Sequence, residues 1–348
     1  MNNNKINVSI IMPLHNAQPW LQECLQSIED QEFEGSLELS VFNDASCDQS
    51  ASILKHFSER LRNRGIKVTI SFEDGDPKGV GYAKNRAVDQ SSGEYLCFLD
   101  ADDCMAKDRV KKQFEACSSD CNLIVGCRFH REPSDSTPRY TKWANSLTPS
   151  QLHSQIYTSF GPTIIMPTWF CHRSVYDRIG GFDERGKGIP EDLIFFYQHL
   201  RLGGQLRRLD EDLLLYRYHL SAATFSVSED TIWQVRLKEF EERILKNWTT
   251  FTIWNAGKQG RKFYRSLTPE NKLKVQGFCD VDVKKISKGI YIYEESEKSP
   301  KPRIPIIHFS KADPPFVICV KIDMTLGVFE ENLSSLHLME GKDYIHFS

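Results

Sequence analysis

The sequence predicts an α/β protein in two sections, the first built on an open, doubly wound sheet. Three observations carry this. Short apolar runs recur at 8–12, 37–42, 68–72 and 95–99, and amphipathic helical stretches separate them. Acidic residues stand directly after two of those runs, Asp44 and the group Asp100-Ala-Asp-Asp103. Beyond residue 248 the strand–helix alternation begins again at Phe251.

Val8-Ser-Ile-Ile-Met12 is apolar throughout, the pattern of a strand covered on both faces. Pro19 opens a helix at about 18–31, with Trp20, Leu21, Cys24, Leu25 and Ile28 on one face. Leu37 to Phe42 is the second strand, broken by Asn43-Asp44-Ala45-Ser46, and Ile53, Leu54, Phe57 and Leu61 mark a helix over 48–63. Val68 to Phe72, the loop 74–79, a helix over 80–88 and the strand Tyr95–Leu99 follow, and 107–118 is helical. From 123 to 225 the pattern is mixed: a polar stretch at 133–141, a Pro/Trp-rich loop near 161–170, a helix at about 191–203 led by Pro190, and a strand over 213–218. Residues 229–247 read as one helix, and 251–254, 275–279, 304–308 and 316–321 as further strands, with a helix over 329–338. The expected domains are 1–225, a connecting helical segment 226–248, and 249–348.

With 348 residues, 40% hydrophobic and 26% charged, and a net charge of −3, the chain is neither collagen-like, coiled-coil nor disordered. The apolar run at the start is five residues long, too short for a signal-peptide core or for a membrane span of about 20 residues. The expectation is a soluble, cytoplasmic protein with no membrane association and no obligate protein partner. Cys97, Cys127, Cys279 and Cys319 lie in apolar runs and read as reduced core residues. Cys117 and Cys121 have no second pair that would complete a zinc site.

In open α/β sheets, ligands sit beyond the carboxyl ends of the strands, which is where Asp44 and Asp100–Asp103 fall. Three carboxylates within four residues repel one another unless a cation joins them, and hard oxygen ligands suit Mn²⁺ or Mg²⁺ bridging to a diphosphate. An acidic, helix-capping turn is the other reading of the same residues. Pro190-Glu191-Asp192 leads a helix, where an acidic pair favours the helix dipole. One of these carboxylates can instead serve as a general base toward a hydroxyl nucleophile. His219 ends a strand and is either structural or a nitrogen ligand that would favour Mn²⁺.

The stretches Val8–Ala17, Phe42–Ser46, Gly79–Asn85, Phe98–Asp103, Gly181–Glu184 and Pro190–Asp192, in this order, resemble the family 2 glycosyltransferases. The resemblance implies a GT-A fold, a doubly wound mixed sheet, and inverting transfer from a UDP-sugar. It implies that Pro13, His15 and Asn16 line a uridine pocket and that Asp44 bonds the uracil. Lys84 and Asn85 would face the diphosphate and sugar, and Asp100 the ribose and metal. Asp102 would be the principal metal ligand, His219 a further ligand, and Asp192 the catalytic base. Asn43 departs from the pattern, which often has a second Asp there. Over nearly the whole length, through Gly161–Cys171, Phe251–Arg265, Pro315–Lys321 and Asp343–Ser348, the chain is similar to animal members of that family. Those members move galactose from UDP-galactose to the cyclopentene-diol of queuosine at the wobble position of tyrosine tRNA. A GlcNAc donor and another cytosolic acceptor form the alternative.

Residues 249–348 hold 15 Lys and Arg against 12 Asp and Glu, a net +3 where the remainder is −6. Lys258, Arg261, Lys262 and Arg265 lie beside Trp254, Phe263 and Tyr264, which fits either a basic patch with stacking rings for RNA or a solvated helix over core aromatics. Gly257 and Gly260 with Asp280 give this section a Rossmann-like pattern, but Asn255 replaces the first glycine. A cofactor site, RNA docking and a purely structural role all remain open for it.

Overall fold

The computed structural model describes residues 5–348. The chain divides into two compact units: residues up to Leu152 with Pro162–Thr231, and His153–Gly161 with Ile232–Ser348.

The first unit is built on eight strands: β1 (Val8–Leu14), β2 (Leu37–Asp44), β3 (Lys67–Glu73), β4 (Tyr95–Phe98), β5 (Cys104–Met105), β6 (Leu123–Glu132), β7 (Phe170–His172) and β8 (Gln205–Arg217). They form one mixed sheet in the order β3-β2-β1-β4-β7-β6-β8-β5. β1 runs parallel to both β2 and β4, so the chain leaves it in opposite directions and a crevice opens at their carboxyl ends. β7 is antiparallel to β4 and β6, which returns β6 to the direction of β4. The helices Leu21–Glu29, Ser50–Asn63 and Val80–Asp89 follow the apolar faces read from the sequence. Trp20 is a difference: it precedes its helix instead of joining the buried face formed by Leu21, Cys24, Leu25 and Ile28.

Every residue of β2 is buried, including Glu38 at 0% exposure. A lone buried carboxylate would be costly, and this one accepts from Ser9 Oγ at 2.7 Å, Ser92 N at 2.6 Å and Thr69 Oγ1 at 3.0 Å, and pairs with Lys67 at 2.7 Å. Burial pushes its carboxyl up, but these donors outweigh that and hold it at about 2.

The second unit has strands β9 (Phe251–Trp254), β10 (Val275–Asp280), β11 (Ile290–Ile292), β12 (Arg303–His308), β13 (Phe316–Ile318) and β14 (Tyr344–His346), in the order β11-β12-β10-β9-β13-β14. Only β11 is antiparallel, so the rest is a doubly wound arrangement with β9 at its centre. Gly260 is required where it stands, because a Cβ there would lie 1.8 Å from the Asn255 carbonyl oxygen. The turn after β9 closes on itself: Asn255 Oδ1 accepts from Gly257 N and its Nδ2 donates to the Cys319 carbonyl. Asp280 accepts from the amides of Ala256, Val281 and Asp282 and from Lys285 Nζ. The carboxylate that a dinucleotide site would turn to a ribose is thus committed within the protein.

The rings beside the basic helix Lys258–Ser266 are core residues, Trp254 and Tyr264 at 3% exposure and Phe263 at 0%. The stacking half of the RNA-patch reading is therefore corrected: these aromatics are packed under the helix, out of reach of bases. Among the described residues no helix is long and apolar enough to cross a membrane.

Candidate active site

The chain emerging from β4 turns through Asp100–Asp103 and at once enters β5, which pairs with β8 at Cys104↔Leu215 and Met105↔Leu214. That pairing brings His219, just past the end of β8, onto the acidic turn: its Nε2 lies 2.8 Å from Asp102 Oδ2. The His219 ring stacks on Trp20 at 3.9 Å between centroids, and its Nδ1 is 2.8 Å from Ser221 Oγ. Arg217 fastens the turn from the other side. Its amide donates to Asp103 Oδ1 at 2.9 Å and its Nη1 to the Asp102 carbonyl at 3.0 Å, while Nε binds Glu132 at 2.9 Å and Nη2 binds Glu23.

Asp100, Asp102 and Asp103 each place a carboxylate oxygen within 4.8 Å of the others. Asp100 Oδ1 and Asp103 Oδ2 are buried without a hydrogen-bond partner. Burial pushes the Asp100 carboxyl up to about 6 against the pull of Lys84, and burial, then the charges of Asp102 and Asp100, raise Asp103 well above its ordinary value. Orphaned hard oxygens in a cluster that resists ionising are what a divalent cation would satisfy. The residues fit Mn²⁺ or Mg²⁺, with Asp102 and Asp100 as holders and His219 poised against Asp102. Asp103, absent from the expected ligand set, joins the cluster, although one of its oxygens is taken by Arg217.

Lys84 is 2% exposed and its Nζ donates to Glu191 Oε1 at 2.8 Å. Burial works against this ammonium, yet the charges of Glu191, Asp100 and Asp192 raise its pKa, which puts all three carboxylates within its electrostatic reach. Asp192 stands in the first turn of the helix Glu191–Arg201, and one of its oxygens accepts from Leu193 N at 2.7 Å. Burial, followed by the charge of Glu191, raises its carboxyl to about 6 against the pull of Lys84.

Asn85 differs from expectation. Its Nδ2 donates to the Phe182 carbonyl at 2.9 Å and to Glu184 at 2.7 Å, and its Oδ1 accepts from Tyr176 Oη and Phe182 N. With the amide fully used in this structure, it anchors the 181–184 segment. Gly81 serves the same contact, since a Cβ there would lie 2.2 Å from the Asp183 carbonyl. Asp44 is likewise engaged, accepting from Lys78 N at 2.9 Å and Gly79 N at 2.8 Å, so in this structure it braces the loop that leads to Lys84. His15 Nδ1 lies 2.5 Å from the Asp44 carbonyl, and Asn16 Oδ1 accepts from Cys47 N at 2.9 Å. Pro13 pairs with Phe42 inside the sheet. These residues gather at the carboxyl ends of β1 and β2, on one flank of the acidic turn. The sequence reading missed Trp20, Arg217 and the pairing of Lys84 with Glu191.

An open mixed sheet with a carboxylate cluster at its switch point and a helix-borne carboxylate beside it defines a GT-A fold. Residues 9–180 match the family model described as Glycosyl transferase family 2. The chain is 26% identical over 222 residues to the uncharacterized glycosyltransferase EpsJ of Bacillus subtilis (strain 168), which covers 62% of each. It is 32% identical over 104 residues to the poly(ribitol-phosphate) β-N-acetylglucosaminyltransferase TarS of Staphylococcus aureus (strain Mu50 / ATCC 700699), 30% of this chain and 17% of TarS. The chain thus spans less than two thirds of the length of these curated relatives. The crystal structure of S. aureus TarS 1–349 with UDP-GlcNAc superposes with a TM-score of 0.53 at 22% identity, over 68% of this chain and 67% of that one. The mannosyltransferase PcManGT of Pyrobaculum calidifontis, in complex with GDP-Man and Mn²⁺, gives 0.51 at 18% identity, over 69% and 64%.

Proposed function

We propose that the protein is an inverting, cation-dependent transferase of a sugar from UDP. The observation that carries this is the buried Lys84, which pairs with Glu191, next to Asp192, and lies within electrostatic reach of Asp100 in the cation turn. A leaving diphosphate and an incoming hydroxyl must be served at the same moment, and such an arrangement would suit both. A cation held by Asp100 and Asp102 would neutralise the diphosphate as the glycosidic bond breaks. Asp192 takes the proton of the acceptor hydroxyl, and Lys84 holds its neighbour Glu191 in place. Direct displacement with Asp192 as the one base needs no second carboxylate and inverts the anomeric carbon.

The finer reading is galactose from UDP-galactose, placed on the diol of queuosine in tyrosine tRNA, in the cytoplasm. It is supported by the resemblance along 161–171, 251–265, 315–321 and 343–348. A UDP-GlcNAc donor with another acceptor is the second reading, favoured by the likeness to TarS. The deciding experiment incubates the protein with Mn²⁺, each UDP-sugar and queuosine-containing tyrosine tRNA, and measures nucleoside masses. A hexose added to queuosine from UDP-galactose alone is the expected result. Turnover only with UDP-GlcNAc, or only on another acceptor, would reject the finer reading.

A further inference from the structure

Arg131 lies near the carboxyl end of β6, which points the same way as the carboxyl ends of β4 and β1. Two strands, β4 and β7, separate it from β1 and its nucleotide-side residues. Its guanidinium carbon is 3.8 Å from the ring centre of Tyr216, 5.5 Å from Tyr140, 5.6 Å from Phe129 and 5.9 Å from Tyr218. Four rings surround this half-buried cation, yet its only hydrogen bond among the described residues goes from Nη1 to the Arg217 carbonyl at 3.2 Å. Its Nε is buried with no partner, and among the described residues it has no ion pair.

A guanidinium with a buried, unpartnered Nε and no ion pair has donors left over for an anion. Its surroundings say on which side that anion arrives. Burial raises the Tyr140 phenol, Arg131 lowers it and Asp192 raises it again, so one ring is within electrostatic reach of both the guanidinium and the base. Arg131 therefore lies on the β6 side of the sheet, two strands away from the His15–Asp44 flank.

We propose that Arg131 binds a phosphodiester oxygen of the acceptor, next to the hydroxyl that receives the sugar. The planar fork of N–H donors matches a phosphate in two-point contact, and the ring cage keeps that contact dry. The inference rests on the RNA-acceptor reading above, in which the modified nucleoside is flanked by phosphates on both sides.

The test measures binding of an anticodon stem-loop RNA to the full chain with UDP and Mn²⁺, by fluorescence anisotropy over a range of salt concentrations. Arg131→Gln is expected to weaken RNA binding at least tenfold and to lower the salt slope by about 0.7 to 0.9, the loss of one phosphate contact. UDP affinity should stay within twofold, and Arg131→Lys should keep the salt slope. RNA binding unchanged in Arg131→Gln overturns the proposal, as does a joint loss of UDP and RNA affinity with a lowered Tm, which marks the cage as structural. If the wild-type chain binds the RNA but glycosylates only a polyol phosphate, the RNA reading fails by itself. The phosphate assignment is then decided on that polymer: a tenfold rise of its KM in Arg131→Gln upholds it, and an unchanged KM overturns it.

Discussion

Lys84 and Glu191 form a buried ion pair at 2.8 Å, joining residues 107 positions apart in the chain. Removing one partner leaves the other charge stranded, so Glu191→Gln should destabilise the first unit by roughly 2–4 kcal/mol in denaturant unfolding. Replacing both, as Lys84→Met with Glu191→Leu, should recover most of that stability while turnover stays lost. A double variant as unstable as the single one would contradict the stranded-charge explanation.

Asp192→Asn keeps the shape of the helix start and removes the base. The kcat should fall about 10²–10⁴-fold, with KM for the UDP-sugar within a few-fold. Undiminished turnover would remove Asp192 from the mechanism.

The pH profile follows from the same carboxyl. Because burial raises it to about 6, it is protonated below that pH and cannot accept a proton. Turnover should therefore fall tenfold per pH unit as pH drops below about 6 and level off above it. The residual activity of Asp192→Asn should lack this acidic limb; a limb unchanged in the variant would assign it to another group.

His219→Ala should weaken Mn²⁺ activation by about 10–100-fold, the range for a group that ligates or orients a ligand, and Asp102→Ala should abolish it. Trp20→Ala, which removes only the ring stacked on His219, should give a smaller loss in the same direction. Titration of activity against Mn²⁺ after chelation reads all three. Equal Mn²⁺ dependence in wild type and His219→Ala would exclude the histidine.

Glu38 links acid stability to the sheet. Its folded pKa, about 2, lies below the unfolded carboxylate value, so its contribution is present above about pH 4 and is lost as pH falls through 2. Glu38→Gln should lose roughly 2–3 kcal/mol at pH 7 and show a flatter fall in stability toward acid. A variant as acid-sensitive as wild type would assign that loss to other carboxylates.

β1, β2 and β4 were legible because they are buried on both faces, and the edge strand β3 because Val68, Ile70 and Phe72 alternate with polar residues. β8 was read only over its second half, since the residues from Arg207 to Asp212 are polar and largely exposed. β7 spans three residues, too few for a pattern, and β6 turns from apolar to charged midway. The carboxylates of the site could be found by their places after strands and before a helix. Arg217 could not, because its meaning lies in a contact with Asp103 114 residues away. Asn85 was assigned to the ligand on resemblance, whereas its four hydrogen bonds go to the protein; only coordinates reveal that a polar residue in a motif is already satisfied.

The short pairing of β5 with β8 has a consequence for how the protein matures. It clamps the acidic turn to the approach of His219 through backbone bonds alone, so the ordering entropy of the cation site is met during folding, before any ligand arrives. Metal capture should then be fast and little coupled to folding. The corresponding burden falls on the nascent chain, which must hold its first hundred residues in a partly formed sheet until the strand that completes the site has been synthesised.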